Sequence, residues 1–192
     1  MGIIHQNMTK FHSKRVIVGL DPANTGAAVI LHDDLVVAVA LWESCQRKKR
    51  KVYSLSISFN NKVQKLICRT PAHIGHTLSN MPFLISCNAI AVEDCYMSRN
   101  ARTAISLARI SASISAPLEV KSGFPSIYVK PNVWRSSVLG VGGRTKRDVL
   151  KKISLERIPE FLPSLKHHIN QLGNYDHITD AAGIALWLIK TA

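Results

Sequence analysis

Short apolar runs separated by polar turns dominate the first part of the chain. Val16-Ile17-Val18-Gly19-Leu20 reads as a strand ending in Asp21. The turn Pro22–Gly26 leads to a second strand, Ala27–Leu31. His32-Asp33-Asp34 then turns into a third, Leu35–Trp42. Connections this short predict an antiparallel meander, with Asp33 and Asp34 as turn residues. Val52–Ile57 alternates polar and apolar positions like a half-buried strand. The basic run before it, Arg47–Lys51, is then either a solvated loop or the tip of an extra hairpin. Asn60–Cys68 is expected to be a helix, and Pro71 to start another, since proline suits a first turn. Ala89–Val92 reads as a buried strand ending in Glu93. Ser98–Ser115 carries Ala101, Ala104, Ile105, Ala108 and Ser111-Ala112 at helical spacing, and its small residues allow close helix packing. Ser126–Val129 is the next strand. Pro131–Trp134 opens a short helix that Gly140–Gly143 ends. Thr145 is expected to cap a helix over Lys146–Arg157, and Pro159 and Pro163 to bracket a turn. The last helix spans His177–Lys190. A strand meander followed by alternating helices and strands implies an α/β domain, a mixed sheet covered by helices.

A length of 192 residues fits one domain over 14–192, with 1–13 as a loose tail. No apolar run reaches membrane-spanning length, and the first residues lack a basic and then apolar leader pattern. Gln6 stands where a myristoylation signal wants Ser or Thr. The expectation is a soluble, cytoplasmic protein with no membrane partner. Charge adds more. Lys and Arg number 25 against 12 Asp and Glu, a net charge of +13. Such an excess attracts polyanions, nucleic acid first. The four cysteines form no Cys-x-x-Cys pair, so reduced core thiols are expected rather than a zinc ribbon.

Against that basic background, a few acids stand out. Asp21 and Glu93 end apolar strands, where a carboxylate is costly unless a cation neutralises it. Asp180 lies on the last helix. Together they suggest one metal cluster, and the chemistry that a metal cluster performs on nucleic acid is phosphodiester hydrolysis. Oxygen ligands on rigid elements suit Mg²⁺. Asp94 adjoins Glu93, but successive strand residues face opposite ways, so only one looks into the site. On the last helix, His177 and Asp176 lie three and four residues before Asp180. Both spacings share a helical face with it. Spacing therefore leaves the fourth ligand open. Asp176 also suits a helix N-cap, and His177 a surface position.

Four segments, in order, resemble the RuvC family of Holliday-junction resolvases, which have the ribonuclease H fold. Val18-Gly19-Leu20-Asp21-Pro22 is similar to that family's opening acidic strand, although Ala23 replaces a glycine. Ala91–Ala101, with Glu93, Tyr96, Arg99 and Asn100, is similar to its second acidic motif. Val138–Lys146 resembles its Gly-rich loop with a basic residue, and His177–Ala185 its closing metal-ligand motif. The resemblance spans nearly the whole chain. It implies a ribonuclease H-like fold with a mixed five-stranded sheet, an antiparallel meander plus parallel strands. It implies a metal-dependent crossover junction endodeoxyribonuclease. Asp21, Glu93, His177 and Asp180 would hold two Mg²⁺ or Mn²⁺ ions, with Asp176 as runner-up for His177. Lys146 would act at the scissile phosphate, and Arg135 maps onto a second basic position. Tyr96 would contact an unstacked base. Arg99, Arg102, Arg144, Arg147 and the run Arg47, Lys48, Lys49, Arg50, Lys51 complete the expected DNA-binding set. The implied partner is a four-way DNA junction, bound by a homodimer that supplies two symmetric cuts. A helicase partner cannot be read from the chain. Departures at Ala23, 47–51, 121–125 and 159–173 bear on junction geometry more than on chemistry.

Other readings of the same residues are an RNA-processing nuclease of this fold and a non-catalytic DNA-structure-binding module. An actin-like ATPase also carries Asp-Pro-x-x-Thr-Gly turns but needs a longer, two-lobed chain. Tyr96 also suits a rim aromatic, Lys146 a charged first turn, and Arg99 and Arg102 solvated surface.

Overall fold

The computed structural model describes residues 15–94, 100–142, 144–173 and 175–191. The expected tail lies outside them, as do Tyr96 and Arg99. Strands β1 (Val16–Asp21), β2 (Thr25–His32) and β3 (Leu35–Arg47) form the expected meander. β4 (Arg50–Phe59) and β5 (Lys62–Cys68) extend it at one edge. On the other side, β6 (Cys87–Glu93) runs parallel to β1, and β7 (Ser126–Val129) parallel to β6. The strand order is β5-β4-β3-β2-β1-β6-β7.

Strand alternation sorts side chains to two helical layers. Val16, Val18, Leu20, Ile90 and Val92 face α1 (Pro71–Ser79) and α2 (Ala101–Ser122). Ile17, Ala27, Val29 and Ala91 face α3 (Pro131–Leu139), α4 (Arg147–Phe161), α5 (Leu165–Leu172) and α6 (Tyr175–Thr191). By the same alternation Gly19, Asp21 and Glu93 point toward α6. Helix α6 lies unusually close to β1. A Cβ on Gly19 would sit 2.2 Å from the Ala181 carbonyl oxygen and 2.8 Å from Ala185 Cβ. Only a residue without a side chain permits that approach. No helix among the described residues is long and apolar enough to cross a membrane. Cys45, Cys68 and Cys87 are free thiols.

Several expectations are corrected. The sheet has seven strands, not five. Val52–Ile57 joins the sheet within β4, and β5 is added because Asn60–Cys68 is not a helix. Asn60 and Asn61 take positive φ of 49° and 60° and turn the chain into β5. Asparagine tolerates that region, so a tight hairpin wins over weak helical periodicity. Arg47–Lys51 is the tip of the other hairpin, with Arg47 opposite Arg50 and Lys48 and Lys49 at φ 47° and 64°. Thr145 does not cap α4. Its amide donates to the Gly142 carbonyl at 3.1 Å, and Lys146 holds the N-cap position without a side-chain hydrogen bond. Pro159 lies inside the last turn of α4, where its missing N–H costs one bond near the end. Helix α5 then fills the stretch after Pro163.

Candidate active site

Asp21 ends β1 and Glu93 ends the neighbouring parallel strand β6. Helix α6 crosses above them and brings His177 and Asp180 down onto the strand ends. His177 Nδ1 donates to Asp21 Oδ2 at 2.5 Å. Trp134, fully buried on α3, donates its indole N–H to Glu93 Oε2 at 3.0 Å. Next to it, the Arg135 guanidinium donates to Asp180 Oδ2 at 3.0 Å, and the same nitrogen lies 3.9 Å from Glu93 Oε2. Asp21, Glu93, Arg135, His177 and Asp180 floor a cleft of ≈ 470 Å³ whose walls add Thr145, Arg147, Leu150, Lys151, Ser154 and Asp176.

The electrostatics are those of crowded acids. Burial pushes the Glu93 carboxyl up to about 8, and the charges of Asp21 and Asp180 push the same way. Arg135 and the Trp134 hydrogen bond pull it back only in part. Burial raises Asp180 to about 6, opposed chiefly by Arg135. His177 is raised, first by its hydrogen bond to Asp21, against the effect of burial. The cluster is therefore short of positive charge even with an arginine inside it. Three carboxylates and an imidazole on rigid elements match the donor preferences of Mg²⁺ and Mn²⁺. Among the described residues, however, no three His, Cys, Asp or Glu side chains stand close enough together, as placed, to grip one ion. The Arg135 nitrogen lies between two of the acids instead.

The structure brings together Asp21, Glu93, His177, Asp180 and Arg135, and puts Arg147 on the cleft wall. Asp176 lies at the rim, ion-paired with Lys151. Lys146 is exposed at the start of α4, and its neighbours Thr145 and Arg147, rather than Lys146 itself, are among the cleft-lining residues. Arg144 is exposed in the preceding turn, and Arg102 is exposed in the first turn of α2. The hairpin tip Arg47–Lys51 is exposed too, yet it is tied to the site loop. Lys51 Nζ donates to Asn24 Oδ1 at 2.5 Å, and Trp42 Nε1 to the Ala23 carbonyl at 2.9 Å, just beyond Asp21.

Sequence reasoning missed Trp134 and Lys151. Nothing marks Lys151 among the lysines of α4. Trp134 was missed because its partner Gly183 lies on another helix, α6. A Cβ there would meet the indole at 2.4 Å. A bulky residue preceding Arg135 and a glycine within the small-residue run Ala181-Ala182-Gly183 are the two halves of that contact.

No protein-family model and no curated protein sequence matches the chain. Among solved structures, a Thermus thermophilus RuvC structure is similar at 17% identity and a TM-score of 0.50, covering 90% of this chain and 92% of that one. T. thermophilus RuvC in complex with Holliday junction substrate aligns at 14% identity and a TM-score of 0.48, with the same coverage. The first of these likenesses shows a shared fold, the ribonuclease H-like mixed sheet flanked by helices.

Proposed function

We propose that this chain is a metal-dependent endonuclease that resolves four-way DNA junctions by paired nicks. The observation that carries the reading is the meeting of Asp21, Glu93, His177 and Asp180 in one cleft walled by Arg135, Arg147 and Lys151. Those four acid-or-His positions come from motifs spread over nearly the whole chain, and all of them arrive at the same place. The basic charge of the chain suits a polyanion, and the exposed Arg47–Lys51 tip extends a basic surface from the site loop.

Asp21, Glu93 and Asp180 would hold the divalent ions, with His177 as the fourth ligand in preference to Asp176. When bound, the ions would activate the attacking water and neutralise charge on the leaving oxygen. Trp134 fixes the rotamer of Glu93 through its indole N–H, so the carboxylate keeps its aim without a ligand. Arg147 and Lys151 line the approach and would neutralise phosphates flanking the scissile bond. Two symmetric cuts call for a two-fold dimer. The exposed stripe Ile105, Ala108, Ala112, Ala116 and Val120 along α2 is the face we assign to it. A soluble, cytoplasmic setting accords with this substrate.

The test is cleavage of a synthetic mobile four-way junction, a linear duplex and a folded RNA, with and without Mg²⁺ or Mn²⁺. Metal-dependent nicking confined to the junction is expected. Asp21→Asn, Glu93→Gln and Asp180→Asn should each abolish it and leave junction binding largely intact, since affinity rests on lysines and arginines. Junction binding without nicking in either metal would make the chain a DNA-structure binder. Preferential cleavage of the RNA would make it an RNA-processing nuclease.

A further inference from the structure

A single Arg135 nitrogen lies 3.0 Å from Asp180 and 3.9 Å from Glu93. A cation bridging those two carboxylates would have to occupy much the same space. Metal–oxygen distances for Mg²⁺ are about 2.0–2.1 Å, so an ion and this guanidinium cannot share the gap. Arg135 also has somewhere to go. It stacks over the Trp134 ring, 4.8 Å from its centroid, and its side chain is partly solvent-exposed within the cleft. A guanidinium can slide across an indole face while keeping its cation–π contact. The indole N–H meanwhile holds Glu93 in place, so the acid need not follow the arginine out.

We propose that Arg135 is a displaceable internal counter-ion: it holds Glu93 and Asp180 together in the metal-free protein, and a divalent cation evicts it toward the cleft mouth, where it meets the DNA phosphate. This rests on the metal-dependent reading above and adds a competition to it. One positive charge serves in turn the empty acid cluster and the incoming polyanion. Metal and DNA should therefore reinforce one another's binding, because each takes one of the two partners Arg135 would otherwise leave unmatched.

The experiment is calorimetric titration of Mn²⁺ into the full chain without DNA, for the unaltered protein, Arg135→Met and Arg135→Lys. Removing the competing charge should tighten Mn²⁺ binding by roughly tenfold or more. The metal-free Arg135→Met protein should melt lower than the unaltered one, having lost the partner of two partly buried acids, and saturating Mn²⁺ should erase the difference. Arg135→Lys keeps the charge and should stay near the unaltered affinity. The unaltered protein answers the same question by arginine side-chain NMR. The Arg135 Nε–H signal should shift and broaden as diamagnetic Mg²⁺ is added, while arginines outside the cleft stay put. Equal Mn²⁺ affinity in Arg135→Met, or an Arg135 signal indifferent to Mg²⁺ at saturation, overturns the counter-ion role and leaves the metal-dependent reading standing. No Mn²⁺ binding in either protein overturns both.

Discussion

Gly19→Ala should damage stability and the site together, because the contact between β1 and α6 sets both. The added Cβ would lie 2.2 Å from the Ala181 carbonyl oxygen, whereas ordinary contact begins at 3.4 Å, so the gap must open by 3.4 − 2.2 = 1.2 Å. That oxygen belongs to helix backbone and cannot rotate aside. Ala185 Cβ, at 2.8 Å, blocks a sideways slip. Overpacking of this kind typically costs about 1–3 kcal/mol. At about 2–4 °C per kcal/mol for a chain of this size, the melting temperature should fall by roughly 2–12 °C. The functional effect is sharper. His177 and Asp180 ride on α6 while Asp21 and Glu93 stay on the strands. A helix displaced by 1.2 Å carries His177 out of its 2.5 Å bond with Asp21. A misplacement of about 1 Å can cost on the order of 10²-fold in rate. Calorimetric melting, Mn²⁺ titration and single-turnover junction cleavage would measure the three consequences. Gly142→Ala is the control, since nothing lies within 4 Å of its would-be Cβ. It should stay within about 0.5 kcal/mol of the unaltered protein. A Gly19→Ala protein with unaltered melting temperature, metal affinity and rate would refute the view that helix–strand contact distance sets the site.

Replacing Arg47, Lys48, Lys49, Arg50 and Lys51 by Gln should flatten the dependence of junction affinity on salt by about 0.9 in log–log slope per lost phosphate contact; an unchanged slope would return the hairpin tip to solvated surface. His177→Ala should lower cleavage far more than Asp176→Ala, because His177 bonds Asp21 while Asp176 pairs with Lys151 at the rim; the reverse ranking in a rate comparison would hand the ligand role to Asp176. Stability should also decline below about pH 6.5 through His168, whose buried imidazole bonds Ser58 and the Val36 carbonyl and whose pKa is lowered by burial. The unfolded chain takes up that proton first, so the contribution is complete above the unfolded pKa and lost as pH falls toward the folded one. Urea midpoints at pH 7.5 and 5.5 should therefore fall less in His168→Gln than in the unaltered protein, and an equal fall would count against the assignment.

Much of this architecture is legible in the chain because the determining pattern is local. Short continuous apolar runs at Val16–Leu20 and Ala27–Leu31 place strands, and strand parity alone aims Glu93 and Asp94 to opposite faces. The spacing on α6 puts Asp176 and His177 on the face that carries Asp180. The hairpin into β5 was misread because seven residues of mixed pattern support a helix or a strand equally well, and only pairing with β4 decides between them. The same holds inside the site. Helical geometry allows both Asp176 and His177 to share a face with Asp180, but only the seating of α6 on Gly19 turns His177 onto Asp21 and leaves Asp176 for Lys151. Arg135 between Glu93 and Asp180, and Trp134 beneath Gly183, join residues on different elements. Periodicity fixes a side chain's face on its own element. The meeting of two faces depends on how closely the elements pack, and here that distance is set by two glycines whose missing side chains matter only once α6 is in place.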